Sequence, residues 1–140
     1  MSRRKKGFTL VELMVVILIV SILAAVAVPI MRGRIDAAKW SEGKAMAGTL
    51  GTALRAYAAE KGAAPTGSYG ANQPSLTALG FAASDLTGTY FSSANYSWTS
   101  SYDDSRDPAL QFTVTINNTD TGITTPAGYD LTHAGVWTEK

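Results

Sequence analysis

Few residues of this chain could take part in catalysis or hold a metal ion. His133 is the only histidine, and there is no cysteine, so thiol catalysis, zinc–thiolate sites and disulfides are excluded. A Ser-His-Asp mechanism needs an activated serine, and no serine stands in a nucleophile elbow. Phosphate-binding loops and dinucleotide fingerprints are also absent. We therefore expect no enzyme activity and no cofactor, and we interpret His133 as structural or exposed.

The C-terminal half contains a cluster of three carboxylates within a span of five residues: Asp103, Asp104 and Asp107. Oxygen-rich loops of this kind can bind calcium. The spacing differs from that of an EF-hand loop, however, and Arg106 lies inside the cluster. Both a calcium site and a solvated acidic loop remain open, and the arginine favours the solvated loop.

A single carboxylate, Glu12, stands at the start of a long apolar segment. From Leu13 to Met31 there are 19 residues without a charge, which as a helix would match the thickness of a bilayer core. The basic residues of Arg3–Lys6 predict a cytoplasmic N-terminus and a translocated C-terminal part. A carboxylate in such a helix is costly in lipid unless it is paired, so Glu12 is the residue here that most needs an explanation.

The residues alone leave two ordinary explanations of the apolar segment. A cleaved secretory signal would share the basic start, but cleavage near Ala24–Ala27 would discard the most hydrophobic part of the helix. A plain single-pass anchor would share the length. Neither explanation accounts for Glu12.

The segment Gly7-Phe8-Thr9-Leu10-Val11-Glu12-Leu13 resembles the class III signal of type IV pilins and type II secretion pseudopilins. The resemblance is specific over residues 3–35 and only architectural beyond residue 65. It implies cleavage between Gly7 and Phe8 by a prepilin peptidase, followed by N-methylation of Phe8. It also implies a helical homo-oligomer built with an inner-membrane platform protein and an assembly ATPase.

The resemblance places the family's glutamate on Glu12. A physical role for this residue follows from the cleavage. Cleavage leaves a cationic amino group on Phe8, and methylation keeps that charge. In an array of subunits, Glu12 of one chain can neutralise the Phe8 ammonium of a neighbour, whereas a wrongly docked subunit buries both charges unpaired. The pair would thus set the register of assembly.

The resemblance places the family's helix-breaking proline on Pro29. Proline lacks an N–H and its ring crowds the preceding turn, and Gly33 follows four residues later. We expect Pro29 and Gly33 to weaken or break the helix here, as a simple kink or as a hinge between two helices. The resemblance adds that the segment 21–29 melts when the subunit leaves the bilayer.

From Arg32 to Lys61 the pattern becomes amphipathic. Apolar residues recur at three- and four-residue steps, with a gap at Glu42; they are Ile35, Ala38, Met46, Leu50, Leu54 and Tyr57. Most charged residues, including Lys39, Lys44 and Arg55, are assigned to the other faces. The glycines of this stretch would let a neighbouring backbone approach, and Gly62 is suited to cap the helix end.

The remaining sequence predicts a small antiparallel sheet. Leu110–Ile116 alternates apolar and polar residues and is the clearest strand. Tyr96–Trp98, Tyr129–His133 and Val136–Thr138 are shorter candidates, and Ser75–Gly80 could form one helical turn. Three or four short strands need a partner for their apolar face, and the stripe on 32–61 is the available one.

The fold expected is therefore α+β: one long helix, transmembrane in its first half and amphipathic in its second, with an antiparallel sheet on the C-terminal half. The expected segments are a leader (1–7), a membrane-spanning and filament-core helix (8–31), an amphipathic helix (32–62) and a globular region (63–140). Asn95 and Asn117 also match the N-glycosylation pattern, which is common by chance.

The charge distribution argues against nucleic acid as a partner. Four of the twelve basic residues lie in the first six positions, and the other eight are outnumbered by eleven acidic residues, so the chain from Gly7 onward carries −3. A nucleic-acid-binding domain would keep a basic face on its folded body.

The function expected is that of a non-enzymatic structural subunit, a major pilin of an extracellular filament that starts as a single-pass cytoplasmic-membrane protein. A major pseudopilin of a type II secretion system is the alternative within the family. A membrane-anchored binding module is the alternative from another class.

Overall fold

One helix, α1 (Leu10–Lys61), accounts for most of the first half of the chain. The computed structural model describes residues 7–65, 74–119, 121–123 and 125–140, with the backbone alone of Pro74 and Ser75. The basic segment Arg3–Lys6 lies outside the described residues. α1 runs without interruption through Pro29 and Gly33, so a single helix is observed rather than two. Gly62, at φ +60°, follows its end and donates to the carbonyl of Ala58, as predicted for a cap.

The chain divides after Ile35 into two units. In the first unit, every large apolar side chain from Phe8 to Ile35 is at least 46% exposed. An apolar surface of this extent is not stable in water, because burial of apolar area is the main favourable term in folding and association. Within α1, an 18-residue window has a mean hydropathy of 3.1, so the helix is long and apolar enough to cross a membrane.

The second unit contains the predicted antiparallel sheet. Its four strands lie in chain order and pair with their sequence neighbours; they are β1 (Tyr96–Tyr102), β2 (Leu110–Asn117), β3 (Gly128–Thr132) and β4 (Trp137–Glu139). A short helix, α2 (Pro74–Ala78), and two 3-10 turns (Ala83–Leu86 and Ser93–Asn95) precede the sheet. The α+β fold with four strands is thus confirmed.

The core lies between one face of this sheet and the C-terminal part of α1, from Trp40 onward. In β2, Phe112, Val114 and Ile116 are at most 4% exposed, whereas the residues between them are half-buried. The helix contributes a stripe at three- and four-residue steps; its buried members are Trp40, Gly43, Ala47, Leu50, Gly51, Leu54 and Ala58.

This stripe corrects the predicted one in part. Leu50 and Leu54 are fully buried as expected, but Ala38 is exposed and Ile35 is 46% exposed. Trp40, which is not among the predicted stripe residues, is 4% exposed, and its ring packs against that of Phe91 with the centroids 5.2 Å apart and the planes tilted by 44°. The centre of the stripe therefore lies a fraction of a turn away from the predicted one.

Two glycines of α1 allow aromatic rings of the second unit to pack directly on the helix backbone. A Cβ at Gly43 would lie 3.0 Å from the Phe91 ring, and one at Gly51 would lie 3.3 Å from the Phe112 ring. The glycines were predicted to admit a neighbouring backbone, whereas at Gly43 and Gly51 the atoms nearest a built Cβ belong to side chains. Gly33 and Gly48 have nothing within 4 Å of a built Cβ.

Glu42, which interrupts the apolar pattern of the helix, joins α1 to the loop at 88–91. We call this contact the clamp. Oε1 of Glu42 accepts hydrogen bonds from the backbone N–H groups of Tyr90 (2.9 Å) and Phe91 (3.0 Å). Burial, the largest single influence, raises the pKa of Glu42. The N–H groups of Tyr90, Phe91 and Thr89 together outweigh it, so the net pKa lies below the ordinary 4.5.

Basic residues beside the buried stripe cover aromatic rings instead of facing away from the sheet, which corrects their predicted placement. Nζ of Lys44 lies 3.5 Å from the centroid of the Tyr129 ring, and the Arg55 guanidinium lies 5.0 Å from that of Phe112. Arg55 also donates to the carbonyl of His133. Long basic side chains can lie along apolar surface in this way while the charge stays near water.

Candidate functional site

The first turn of α1 is closed by a reciprocal pair of hydrogen bonds between Thr9 and Glu12. The N–H of Glu12 donates to Oγ1 of Thr9 (3.2 Å), while the N–H of Thr9 donates to Oε2 of Glu12 (2.8 Å). This is a capping box, which satisfies N–H groups that the helix itself leaves unpaired. The sequence signal for this box is T-x-x-E at 9–12, and it is not among the sequence predictions above.

The capping box uses only one oxygen of Glu12. Oε2 also accepts from the hydroxyl of Thr9 (3.0 Å), whereas Oε1 has no hydrogen-bond or ion-pair partner among the described residues. Phe8, immediately before the cap, is 79% exposed. The carboxylate is therefore oriented by its own chain and keeps one oxygen open, beside an exposed ring at the point where the helix begins.

Pro29 and Gly33 lie in the exposed apolar part of α1 and interrupt no helical turn. Nothing lies within 4 Å of a Cβ built at Gly33. Melting of the segment 21–29 during assembly stays a prediction.

The three aspartates of the acidic cluster do not converge. Oδ1 of Asp103 accepts from the backbone and hydroxyl of Ser105, and Oδ2 pairs with Nε of Arg106 at 3.1 Å. These hydrogen bonds, that from the Ser105 hydroxyl first, lower the pKa of Asp103. Among the described residues no three acidic or histidine side chains come together as metal ligands. Arg106 holds the position that a cation would take at Asp103.

His133 follows β3 directly. Its backbone N–H donates to the carbonyl of Phe112 and its carbonyl accepts from Arg55. Its imidazole has no hydrogen-bond partner in the part of the chain that the structure describes, so the orientation required by a Ser-His-Asp arrangement is not found there.

The two candidate glycosylation positions differ in accessibility. Asn95 is 4% exposed; it accepts from the N–H and hydroxyl of Ser92 and donates to the carbonyls of Asn117 and Thr119. Its amide is thus committed to joining the 3-10 turn to the loop after β2. Asn117 is exposed at the end of that strand.

Comparison with known proteins agrees with the N-terminal geometry. Residues 2–28 match the family model described as the prokaryotic N-terminal methylation motif. This range includes the Gly7–Phe8 junction, the capping box and most of the apolar run.

Two curated proteins are similar to this chain over about half its length. Fimbrial protein EcpC of Eikenella corrodens is 43% identical over 61 residues, which cover 44% of this chain and 40% of that protein. Type II secretion system core protein G of Pseudomonas aeruginosa is 40% identical over 68 residues, which cover 49% and 48% of the respective chains. The chain spans about half or less of the length of these relatives. No solved structure matches it.

Proposed function

We propose that this chain is the major structural subunit of an extracellular type IV pilus. Two similarities support the proposal: residues 2–28 match the prokaryotic N-terminal methylation motif, and about half of the chain is similar to a fimbrial protein. In this proposal residues 1–7 are a leader removed by a prepilin peptidase, and Phe8 becomes the N-methylated first residue. Residues 8–31 hold the precursor in the cytoplasmic membrane and later form the filament core. Residues 32–62 carry the globular region 63–140.

The observation that carries the proposal is the open oxygen of Glu12 at the start of the exposed apolar part of α1, which runs to Met31. A charge buried in lipid or among apolar helices needs a counter-ion. The capping box holds the carboxylate at the positive end of the helix dipole, where a negative charge is favourable. After cleavage, Oε1 is available to the Phe8 ammonium of a neighbouring subunit, and a subunit at the wrong height would leave both groups unpaired.

Assembly would then exchange lipid for neighbouring apolar helices, with no catalytic step by this chain. The partners proposed are copies of the chain, the prepilin peptidase and N-methyltransferase, an inner-membrane platform protein and an assembly ATPase. Pro29 and Gly33 are proposed to allow the helix to loosen locally as the subunit leaves the membrane.

The test is to shear the cells and examine the released material by electron microscopy and mass spectrometry. We expect long filaments made of a chain that begins at methylated Phe8. Glu12→Ala should leave processed protein in the membrane with few filaments, whereas Glu60→Ala, which changes an exposed carboxylate of the same helix, should assemble normally. An intact N-terminus on protein that never polymerises would contradict the proposal and favour a membrane-anchored binding module.

The similarity to a type II secretion core protein supports a second candidate, a major pseudopilin. Both functions need the same processing and the same role of Glu12, so the Glu12 variant does not separate them. Deletion of the chain separates them. If it is a pilus subunit, the deletion strain should lose the sheared surface filaments. If it is a pseudopilin, the deletion strain should fail to release secreted enzymes, and the wild type should show no long filaments outside the cell.

A further inference from the structure

The sheet face opposite α1 carries a groove that the proposed function does not use. The groove has a volume of about 340 Å³ and lies over β1, β2 and the end of β3. This volume is at the lower end of the roughly 300–1,000 Å³ typical of small-molecule sites. Its lining residues are Thr99, Ser100, Ser101, Gln111, Phe112, Thr113, Thr132 and His133.

Strand register sets the polar side chains of the groove in rows. Thr99 lies opposite Thr113, which lies opposite Thr132, and Ser101 lies opposite Gln111. Neighbouring strands are about 4.8 Å apart, so the hydroxyl groups of one row recur at that spacing. The alternate residues of these strands point into the core, which directs the rows away from the helix.

Several polar groups of the groove are unused by the protein. The hydroxyls of Thr99, Ser101 and Thr113 and the imidazole of His133 have no hydrogen-bond partner among the described residues. Gln111 and Thr132, in contrast, are held by donating to the carbonyls of Pro108 and Val136. Unpaired donors and acceptors therefore lie between side chains of fixed orientation.

Among the residues that the structure describes, no lysine, arginine, aspartate or glutamate lines the groove. A charged ligand would lose its hydration without gaining a counter-ion, and an apolar ligand would leave the hydroxyls unpaired. A ligand whose own hydroxyls both donate and accept fits this lining best. We propose that the groove binds one or two units of a neutral saccharide through the hydroxyls of Thr99, Ser101 and Thr113 and the imidazole of His133.

A single site of this kind would bind weakly, because water competes for each hydroxyl. In this respect the inference rests on the proposed function: a filament repeats the groove on every subunit, and linked sites can gain roughly 10²–10⁴-fold in overall affinity. The predicted consequence is adhesion of filaments to a neutral polysaccharide surface.

The test is an NMR titration of the full chain in dodecylphosphocholine micelles, which carry no sugar headgroup. The probes are neutral oligomers of glucose, galactose, mannose and N-acetylglucosamine, with a galacturonic acid oligomer of equal length as the charged comparison. We expect amide shifts confined to 99–101, 111–113 and 132–133 with at least one neutral probe. The double variant T99V/T113V should weaken this binding at least tenfold, because valine keeps the strand shape and removes the hydroxyl.

The matched control is Thr138→Val, on the same sheet face but outside the groove. Unshifted groove amides with every neutral probe, equal binding of the acidic oligomer, or equal binding by the double variant would each overturn the proposal. Groove shifts that depend on protein concentration without sugar would instead assign the site to a second copy. Normal filaments without sugar binding would refute only the proposal that the groove binds saccharide. Sugar binding without filaments would refute only the proposal that the chain is a pilus subunit.

Discussion

The clamp between Glu42 and the loop at 88–91 gives the sharpest prediction about the second unit. Hydrogen bonds to a charged group contribute about 1.5–3 kcal/mol each. Two are made here, but the carboxylate is only half-buried, so water can replace part of each. We expect Glu42→Ala to lower the free energy of unfolding by about 2 kcal/mol, which for a domain of this size is about 8–16 °C in Tm.

The effect should depend on pH in a defined direction. The folded-state pKa of Glu42 lies below its ordinary 4.5, so the carboxylate stabilises the fold fully above pH 4.5. This stabilisation is lost as the pH falls through the lower, folded-state value. The difference in stability between wild type and Glu42→Gln should therefore be largest near neutral pH and should shrink in acid.

The assay is thermal unfolding of the full chain in detergent, followed by near-UV circular dichroism, because Trp40 and Trp98 report on the core. Glu60→Gln is the matched control, since in the described part of the chain Glu60 pairs with the adjacent Lys61 and its side chain is 71% exposed. The reasoning would be refuted if the Glu42 and Glu60 variants melted at the same temperature, or if the Glu42 difference did not change between neutral and acidic pH.

Three further changes address the same unit. A Cβ on Gly88 would overlap the Glu42 carboxylate, so Gly88→Ala should lower the free energy of unfolding by about 1–3 kcal/mol in denaturant. The loss should be clearly smaller in a Glu42→Ala background, and equal losses in the two backgrounds would contradict the overlap. Asn95→Asp removes two buried N–H donors and buries a carboxylate, so it should lower the free energy of unfolding by about 2–4 kcal/mol. Because the wild-type Asn95 side chain is buried, peptide mass spectrometry should find no glycan on it. Burial, helped by the charge of Glu42, raises the pKa of the Tyr96 phenol above its ordinary 10. The contribution of Tyr96 to the stability should therefore be fully present below pH 10 and be lost as the pH rises above it, so the wild type should lose stability there more steeply than Tyr96→Phe.

The parts of the fold that a local period determines were predictable from the sequence. The alternation in Leu110–Ile116 gave the central strand within one residue of its observed end, and the shorter segments at 96, 129 and 137 gave its neighbours. The uncharged run of 19 residues gave the first half of α1. The strands follow from a period of 2.0, and the first half of α1 follows from the length of an uncharged run, so each signal lies within one element.

Contacts between elements were not predictable in the same way. Lys44 was assigned to solvent because a charge normally avoids the buried stripe, yet its partner, Tyr129, lies 85 positions later in the chain. Glu42 was seen only as a gap for the same reason, since its partners are loop N–H groups that carry no side-chain signature. The saccharide groove likewise depends on strand register, which the sequence did not give.

Two glutamates of α1 illustrate why the two units should fail separately when mutated. Glu42 is held by N–H groups 48 and 49 residues away, so its charge is already satisfied within the folded chain. Among the described residues Glu12 is held by Thr9 alone, three residues away, and the apolar side chains that follow it in the helix are exposed. Under the proposed function, Glu12→Gln should abolish filaments while leaving the thermal unfolding of the second unit unchanged. Glu42→Gln should lower the Tm of the second unit but leave filament assembly unchanged at temperatures below that Tm. Loss of filaments in the Glu42 variant at such temperatures would show that assembly depends on the stability of the second unit.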